Sequence, residues 1–298
     1  MRRLALLLAV LASGVLAGCA RPAAPRAASA HWEAPASTAP GTSPGSATPG
    51  AGAPSSAPAP SATRAKPGAK PTTPPPAPTT AAGRTGGRPA LTDPGPAGSV
   101  RGTGSDGVAL TFDDGPDPKN TMDLLDLLNE QGVKATFCVV GFRARDHPEV
   151  IRRIVAEGHT ICNHSWQHLE HLSERDDGYL SWDLQSTNDA IHAAAPGAKI
   201  EYFRAPYGNF TPRLIQFAGR LNLKPIFWDV DDECYTTAKY GVGPAMTNHM
   251  TSIVQRDTRP GSIILSHENL KPHTVSTYRT LLPWLKAHFR LIVMPTSP

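Results

Sequence analysis

Two adjacent aspartates, Asp113 and Asp114, lie in the segment TFDDGP, between an apolar run and a Gly-Pro break. Neighbouring carboxylates repel each other, and consecutive side chains of a strand point to opposite faces. The pair is therefore either solvated in a turn or held beside a buried positive charge.

Further polar residues also follow apolar runs: His164 and His168 in NHSWQH, Arg204 in RAPYG, Asp229, Asp231 and Asp232 in WDVDD, and His267 in LSHEN. One such residue alone is usually a solvated loop residue, whereas the whole set predicts a catalytic site.

Two histidines and one aspartate have the composition of a metal site. His164 and His168 are four residues apart, so one helical turn would align both imidazoles. With one carboxylate they leave a coordination position for water, as catalytic zinc sites do, and the same donors suit iron or cobalt. A bound cation lowers the pKa of its water towards about 7 and polarises a carbonyl. The pattern predicts metal-assisted hydrolysis, in which one aspartate binds the cation and the other accepts a proton from water.

Strand-like and helical runs alternate through the C-terminal part of the chain, without a sequence repeat. The strand-like runs are GVALTF, KATFCVV, HTICNH, KIEYFR, LKPIFWDV, SIILSH and FRLIVM. Helices are predicted for the runs DLLDLLNEQG, EVIRRIVAEG, SWDLQSTNDAIHAAA, RLIQFAGRLN, MTNHMTSIVQR and TYRTLLPWLKAH. Such alternation predicts an α/β fold of parallel strands with crossover helices, either an open wound sheet or a barrel. Chemistry in both folds collects at the C-terminal strand ends, where the polar residues above fall.

The N-terminal third has a different composition. Arg2 and Arg3 precede a short apolar stretch that ends in LAGC at Cys19, which resembles the lipobox of bacterial lipoproteins. We therefore expect residues 1–19 to be a signal peptide and Cys19 to be lipidated; an ordinary secretory signal or an uncleaved anchor are the alternatives. Residues 20–105 are rich in Pro, Gly, Ala, Ser and Thr and are predicted to be a disordered linker. The domain at residues 106–298 would then be lipid-anchored to the outer face of the cytoplasmic membrane, facing the cell wall, or secreted.

The net charge of the predicted domain argues against nucleic acid as a partner. The chain has 29 Lys+Arg and 25 Asp+Glu, but residues 1–105 hold ten of the basic and two of the acidic residues. Residues 106–298 therefore carry 19 basic and 23 acidic residues, a net charge of −4. A mildly acidic domain is not typical of nucleic-acid binding.

Three further cysteines lie in the predicted domain. Cys138 and Cys162 fall on strands expected to be neighbours, so they either form a disulfide or remain buried thiols. Cys162 is two residues from His164, so ligation of a metal by its thiolate is an alternative, but the Asp-His-His set is complete without it.

The ordered motifs resemble those of the polysaccharide deacetylases, the NodB-homology domain of carbohydrate esterase family 4. The resemblance covers residues 106–294 and rests on TFDDGP, HSWQH, RAPYG, a WDVD segment and LSH. It implies a distorted, incomplete (β/α) barrel, one divalent metal ion (zinc first, with cobalt, nickel or iron as alternatives) and removal of acetyl groups from sugars. It also implies a role for each matched residue: the general base Asp113, the metal ligands Asp114, His164 and His168, the base-steadying Arg204, the oxyanion donor Tyr207 through its backbone N–H, and the general acid His267.

One motif departs from this family's pattern. The fifth-strand segment commonly ends in Asp-Trp, six and seven residues after its opening Trp, and here those positions are Cys234 and Tyr235. The family's Asp pairs with the catalytic histidine, so without it we expect His267 to be less basic and a poorer acid at neutral pH. Asp231, Asp232 and Glu233 are the candidate substitutes for this Asp, and the spacing does not say which of them pairs with His267. We expect reduced or narrowed activity.

Three function classes follow. The first is a membrane-tethered, monomeric deacetylase that acts on N-acetylglucosamine units of peptidoglycan. The second is an esterase or deacetylase for external chitin or xylan. The third is a glycan-binding relic with weakened catalysis.

Overall fold

Residues 94–296 are described by the structure, a computed structural model. The predicted signal peptide, Cys19 and most of the predicted linker lie outside these residues. The end of that linker does not: the N–H of Val100 donates to the Pro225 carbonyl at 2.8 Å, and the N–H of Thr103 donates to the Gly261 carbonyl at 2.9 Å. Backbone pairing thus fixes residues just before the predicted boundary at residue 105 against the sheet. No helix within residues 94–296 is long and apolar enough to cross a membrane.

Eight strands and eight α-helices make up this part of the chain. The strands are β1 (Val108–Asp113), β2 (Thr136–Val139), β3 (Thr160–Asn163), β4 (Ile200–Phe203), β5 (Lys224–Pro225), β6 (Val230–Asp231), β7 (Ile263–His267) and β8 (Leu291–Ile292). The helices are α1 (Asn120–Gln131), α2 (Gly141–Asp146), α3 (Pro148–Ala156), α4 (Asp177–Ala194), α5 (Pro212–Arg220), α6 (Thr237–Tyr240), α7 (Pro244–Asp257) and α8 (Pro272–His288). The six predicted helices are confirmed, and α2 and α6 are additional short ones.

All named strands of the sheet pair in parallel, in the order β5-β4-β3-β2-β1-β7-β6, with β8 beside the start of β1. Strand β1 is buried over its whole length, as expected for a central parallel strand covered on both faces. Helix α4 starts at Asp176, whose carboxylate accepts from the Tyr179 N–H at 2.8 Å. The open strand order gives the distorted, incomplete (β/α) barrel that the family resemblance implied.

The run LKPIFWDV is not one strand but two, β5 and β6, near opposite ends of the strand order. Its backbone changes partner within four residues. The N–H of Ile226 donates to Phe203 in β4, that of Phe227 donates to Val100, and that of Asp229 donates to Ile263 in β7. A segment that changes partner so quickly cannot maintain a ladder with any one strand.

Register determines which strand ends meet. Asp113, the last residue of β1, lies opposite Cys138 of β2 and His267 of β7. Cys138 also lies opposite Cys162 of β3, and these two cysteines form a disulfide with their Cα atoms 4.2 Å apart. The disulfide excludes Cys162 as a metal ligand.

Candidate active site

A cavity of about 500 Å³ opens at the C-terminal ends of the strands. Eight of the residues singled out from the sequence line it: Asp113, Asp114, His164, His168, Tyr207, Asp231, Tyr235 and His267. Arg204 lies fully buried beneath it, and Cys19 is outside the described residues. The structure also adds Trp228 and Lys271 to the lining. Of these, no pattern in the sequence marked Lys271, because a single lysine in a loop carries no periodic or motif signal.

The three expected metal ligands converge at one side of this cavity. One ligand atom from each of Asp114, His164 and His168 lies within 4.8 Å of the other two. Oδ1 of Asp114 is 3.5 Å from Nε2 of His164 and 3.1 Å from Nε2 of His168. The backbone of Asp114 has φ of 73°, in the left-handed region, so the chain turns sharply after Asp113. That turn lets two consecutive carboxylates serve one site, which a regular strand would not allow.

The two histidines are not aligned by a helical turn, as their spacing had suggested. Residues 164–168 form an irregular loop in which Ser165 and His168 have φ of 64° and 55°. Side-chain acceptors fix this loop: Oγ of Ser165 accepts from the His168 N–H, and Oδ1 of Asn163 accepts from the Ser165 N–H, both at 2.9 Å. These local bonds compete with helix formation, which explains the error.

This donor set fits a divalent cation. Oδ1 of Asp114 is buried and has no hydrogen-bond partner among residues 94–296, although two imidazole nitrogens face it. Nδ1 of His164 lies 2.8 Å from the Arg204 carbonyl, which can only accept, so Nδ1 carries the proton and Nε2 presents its lone pair when the ring is neutral. One carboxylate oxygen and two imidazole nitrogens around one point, with an open side, match a catalytic zinc-type site.

The pKa shifts of the three groups agree with a divalent cation at this site. Burial tends to raise the pKa of Asp114, but the close contact and charge of His164 outweigh it, and the pKa lies well below the usual range. Burial, followed by the charge of His164, lowers the pKa of His168 to about 4. Burial also opposes protonation of His164, yet Asp113 and Asp114 raise its pKa. The site therefore favours one positive charge beside the two carboxylates.

Asp113 is held by Arg204. The guanidinium donates to Oδ1 of Asp113 at 2.7 Å, to Oγ1 of Thr111 at 2.8 Å and to the Phe227 carbonyl at 3.0 Å. The other carboxylate oxygen of Asp113 lies 3.5 Å from Nε2 of His164. Asp113 is thus fixed in orientation, with its free oxygen directed towards the expected metal ligands.

Tyr207 has the backbone conformation of a tight turn. Its φ is 57°, and its N–H donates to no acceptor within the described part of the chain. Gly208 follows with φ of 68°, and a Cβ there would lie 2.7 Å from Cη2 of Trp228. The turn therefore packs against an aromatic wall while it leaves one backbone donor available beside the cavity. The Tyr207 side chain is 61 % exposed and packs beside the His168 ring, with the centroids 4.8 Å apart.

Cys234 is the partner of His267. Its Sγ lies 3.2 Å from Nδ1 of His267, and the His267 N–H donates to the same sulfur at 3.3 Å. The expected substitutes are engaged elsewhere. Asp231 accepts from the Tyr235 hydroxyl at 3.1 Å, Asp232 accepts from the Cys234 N–H at 3.0 Å, and Glu233 lies 2.8 Å from His249. No carboxylate of the WDVDDECY segment forms a hydrogen bond to His267, so the thiol stands alone in that position.

A carboxylic acid behind the site was not singled out from the sequence. Glu268 is fully buried, and its Oε1 accepts from the Thr121 hydroxyl at 3.3 Å. Burial raises the pKa of Glu268 well above its usual value, which favours the neutral form of the side chain. A Cβ on Gly115 would lie 1.9 Å from Oε1 of Glu268, so the glycine of TFDDGP is required for this close packing.

Comparison with known proteins identifies the family. The sequence profile of the polysaccharide deacetylase family matches residues 101–226. A chitooligosaccharide deacetylase of Sinorhizobium fredii is 38% identical over 173 residues, which cover 57% of this chain and 76% of that protein. A peptidoglycan-N-acetylglucosamine deacetylase of Bacillus cereus is 33% identical over 193 residues, covering 63% of this chain and 67% of its own length.

Solved structures give the same result. The Bc1960 peptidoglycan N-acetylglucosamine deacetylase, in complex with 4-naphthalen-1-yl-N-oxidanyl-benzamide, superposes with a TM-score of 0.60 at 29% identity, covering 66% of this chain and 90% of its own. A family 4 carbohydrate esterase from Streptomyces lividans in complex with acetate gives 0.57 at 28% identity, covering 65% of this chain and 94% of its own. The chain belongs to the polysaccharide deacetylase family, carbohydrate esterase family 4, whose members are hydrolases that typically depend on a divalent metal.

Proposed function

We propose that this protein is a metal-dependent deacetylase that removes the N-acetyl group from N-acetylglucosamine-type units of cell-wall glycan, with peptidoglycan as the substrate. The observation that carries this proposal is the meeting of the unpartnered Oδ1 of Asp114 with two imidazole nitrogens, beside the fixed carboxylate of Asp113. The relatives named above act on chitooligosaccharide and on peptidoglycan, which supports an N-acetylated glycan as the substrate class.

Asp114, His164 and His168 would hold the metal ion, for which we propose zinc, with cobalt, nickel or iron as alternatives. When bound, the cation supplies the positive charge that acidifies a water molecule and polarises the acetyl carbonyl. Asp113 accepts the proton of the attacking water, and the hydrogen bond from Arg204 fixes the orientation of its carboxylate.

Two further groups act on the tetrahedral intermediate. The unpaired N–H of Tyr207 donates to the carbonyl oxygen as negative charge develops on it. His267 gives a proton to the amide nitrogen as the C–N bond breaks, so the products are acetate and a free amine. The proton taken up at Asp113 and the proton given by His267 balance the step.

Two other functions remain in competition. An esterase or deacetylase acting on external chitin or xylan would use the same groups, since ester and amide hydrolysis share the attack step. A glycan-binding relic is favoured by one observation, the thiol of Cys234 beside the proposed acid. Family 4 carbohydrate esterases do include pseudoenzymes, among them BA3943, a mutant of which, described as having restored enzymatic activity, superposes on this chain with a TM-score of 0.54 at 26% identity. Retention of the proposed ligands, base and arginine supports an active enzyme.

The location that we propose for the protein is compatible with peptidoglycan as the substrate. We propose that residues 1–19 direct export, that lipidated Cys19 anchors the protein to the outer face of the cytoplasmic membrane, and that the linker lets a monomeric domain reach the wall. Fractionation tests this: Cys19→Ala should move the protein from the membrane to the medium or the soluble exported fraction. A membrane-bound Cys19→Ala protein would contradict lipid anchoring.

Acetate release tests the activity. Wild type and Asp113→Ala would be assayed on peptidoglycan fragments, chitooligosaccharides and acetylxylan, with and without a chelator and with zinc, cobalt, nickel or iron added back. We expect release from the N-acetylated glycans that is lost in Asp113→Ala and in chelator, and restored by metal. Activity that survives chelation would refute the mechanism, and bound metal without acetate release would favour the relic.

A further inference from the structure

A second cleft, of about 200 Å³, adjoins the main cavity. Asp114 and His168 line both, so the proposed metal site stands between two openings. The remaining lining of the second cleft comes from Val140, Phe142, Arg143, Gln167 and Asn269. A glycan whose target sugar occupies the main cavity therefore has a place for an adjacent sugar on the other side of the proposed ligands.

Arg143 is an unusual residue for such a position. It lies half-buried in α2 with its guanidinium over the Phe142 ring, 5.0 Å from the centroid. Its guanidinium forms no hydrogen bond or salt bridge within residues 94–296, although its charge, with those of Arg145 and His147, helps to lower the pKa of Asp146. Its neighbour Arg145, by contrast, pairs with Asp146 at 2.8 Å. A partly desolvated arginine with five free N–H donors is suited to a planar anion.

Backbone bonds fix Arg143 relative to the proposed metal site. The first turn of α2 is tied to the histidine loop, because the Gly141 N–H donates to Ser165 at 2.9 Å and the Phe142 N–H donates to Trp166 at 3.2 Å. These bonds fix the backbone of α2, and therefore the Cα of Arg143, relative to the histidine loop, and Arg143 and His168 line the same cleft.

The other polar groups of the cleft suit a sugar. The Gln167 side-chain oxygen accepts from the Tyr179 hydroxyl at 3.1 Å, so its NH₂ group is the end left for a ligand. The Asn269 amide forms no hydrogen bond within residues 94–296. Two amides, an aromatic ring and one cation have the composition expected for a polyhydroxylated ligand that also carries a carboxylate.

We propose that this cleft binds the sugar next to the one being deacetylated, and that Arg143 pairs with a carboxylate on that sugar. The inference rests on the proposed function and narrows its substrate class to acidic glycans. Peptidoglycan has this chemistry, since every second sugar carries a lactyl ether whose carboxylate is free once the peptides are removed. Chitin has the same backbone with no such group.

The test compares Arg143→Gln with wild type on three glycans of matched length: peptide-free peptidoglycan strands, the same strands with their carboxyl groups reduced to alcohols, and chitooligosaccharide. We expect the substitution to lower the ratio of kcat/KM for the acidic strands to that for the neutral glycans about tenfold, mainly through KM. Arg145→Gln, which removes a neighbouring exposed charge, is the matched control and should leave the ratio unchanged. Thermal unfolding of both variants monitors their folding.

The outcomes separate the two proposals. An equal decrease in kcat/KM on all three glycans would show that Arg143 supports the fold or the turnover in general. An unchanged kcat/KM on all three would show that Arg143 does not contact the substrate. Either result overturns the inference. Calorimetric binding of the acidic strands keeps the test independent of turnover. A wild type that binds them through Arg143 but releases no acetate would refute the proposed function and uphold the cleft, whereas active enzyme without preference for acidic strands would refute only the cleft.

Discussion

Replacing Cys234 with aspartate would restore the carboxylate that the family places beside its catalytic histidine. In this chain the sulfur lies 3.2 Å from Nδ1 of His267, with no other side-chain partner on that nitrogen within residues 94–296. Burial, followed by the charge of Asp232, raises the pKa of the Cys234 thiol well above its usual value. The group beside His267 is therefore neutral at pH 7 and provides no negative charge to stabilise an imidazolium.

The size of the effect follows from two opposing interactions. A hydrogen bond to a charged partner contributes about 1.5–3 kcal/mol, and a hydrogen bond to a neutral thiol contributes less. Asp232 opposes part of the gain, because it is fully buried, accepts from the backbone N–H of residue 234, and has a pKa raised by burial to about 6. We therefore expect Cys234→Asp to increase kcat/KM at neutral pH about tenfold, which corresponds to about 1.4 kcal/mol.

The assay is acetate release from peptidoglycan fragments across the pH range. A carboxylate keeps the proposed acid protonated to higher pH, so the descending limb of the Cys234→Asp profile should move up by about one pH unit. Cys234→Ser is the matched control: it retains a small neutral group and should leave the limb in place. The reasoning would be refuted by a Cys234→Asp protein that folds normally yet has the wild-type rate and the wild-type profile.

Three further substitutions test the surroundings of the site. Arg204→Lys keeps the charge but loses the forked donors that hold the general base, and we expect kcat to fall about a hundredfold, or about 2.7 kcal/mol, with retained glycan binding by calorimetry. Burial raises the pKa of Asp183 to about 6 from 3.8, so the folded protein binds more protons than the unfolded chain and loses stability as pH rises between about 4 and 6. In urea unfolding, the free energy of unfolding of Asp183→Asn relative to wild type should therefore rise by up to about 3 kcal/mol between pH 4 and pH 7. Free energies of unfolding that change in parallel with pH in the two proteins would contradict this. Gly208→Ala places a Cβ 2.7 Å from Trp228 at a φ of +68°, and should destabilise by about 1–3 kcal/mol, whereas Gly197→Ala, with nothing within 4 Å, should have little effect in thermal unfolding.

The sequence patterns were sufficient to predict which polar residues lie at the ends of the strands. Asp113, Arg204 and His267 each follow or end an apolar run, and parallel topology brings such ends together whatever the details of the loops. The family motifs then assigned them to one site. Periodicity also found the six longer helices, because each buries a continuous apolar face.

Loop geometry was not predictable in the same way. The spacing of His164 and His168 suggested a helical turn, but side-chain acceptors and two left-handed residues decide the backbone there. Three acidic candidates near Cys234 were equivalent by spacing, and each proved to be engaged with another donor or an imidazole. Arg143 had no signal in the sequence, because the feature that distinguishes it is a guanidinium without a hydrogen-bond acceptor within the described residues, and only coordinates reveal that.

The site is one hydrogen-bonded network rather than a set of separate residues. Arg204 holds Asp113 through its side chain and His164 through its carbonyl, so a single residue orients both the proposed base and a proposed ligand. Strand pairing places His267 opposite Asp113, and the His267 backbone in turn holds Cys234. Because these contacts are continuous, we expect a change at one end of this network to alter the geometry at the other. For the same reason, a substitution such as Cys234→Asp is informative only when the geometry of Asp113 and Arg204 is preserved.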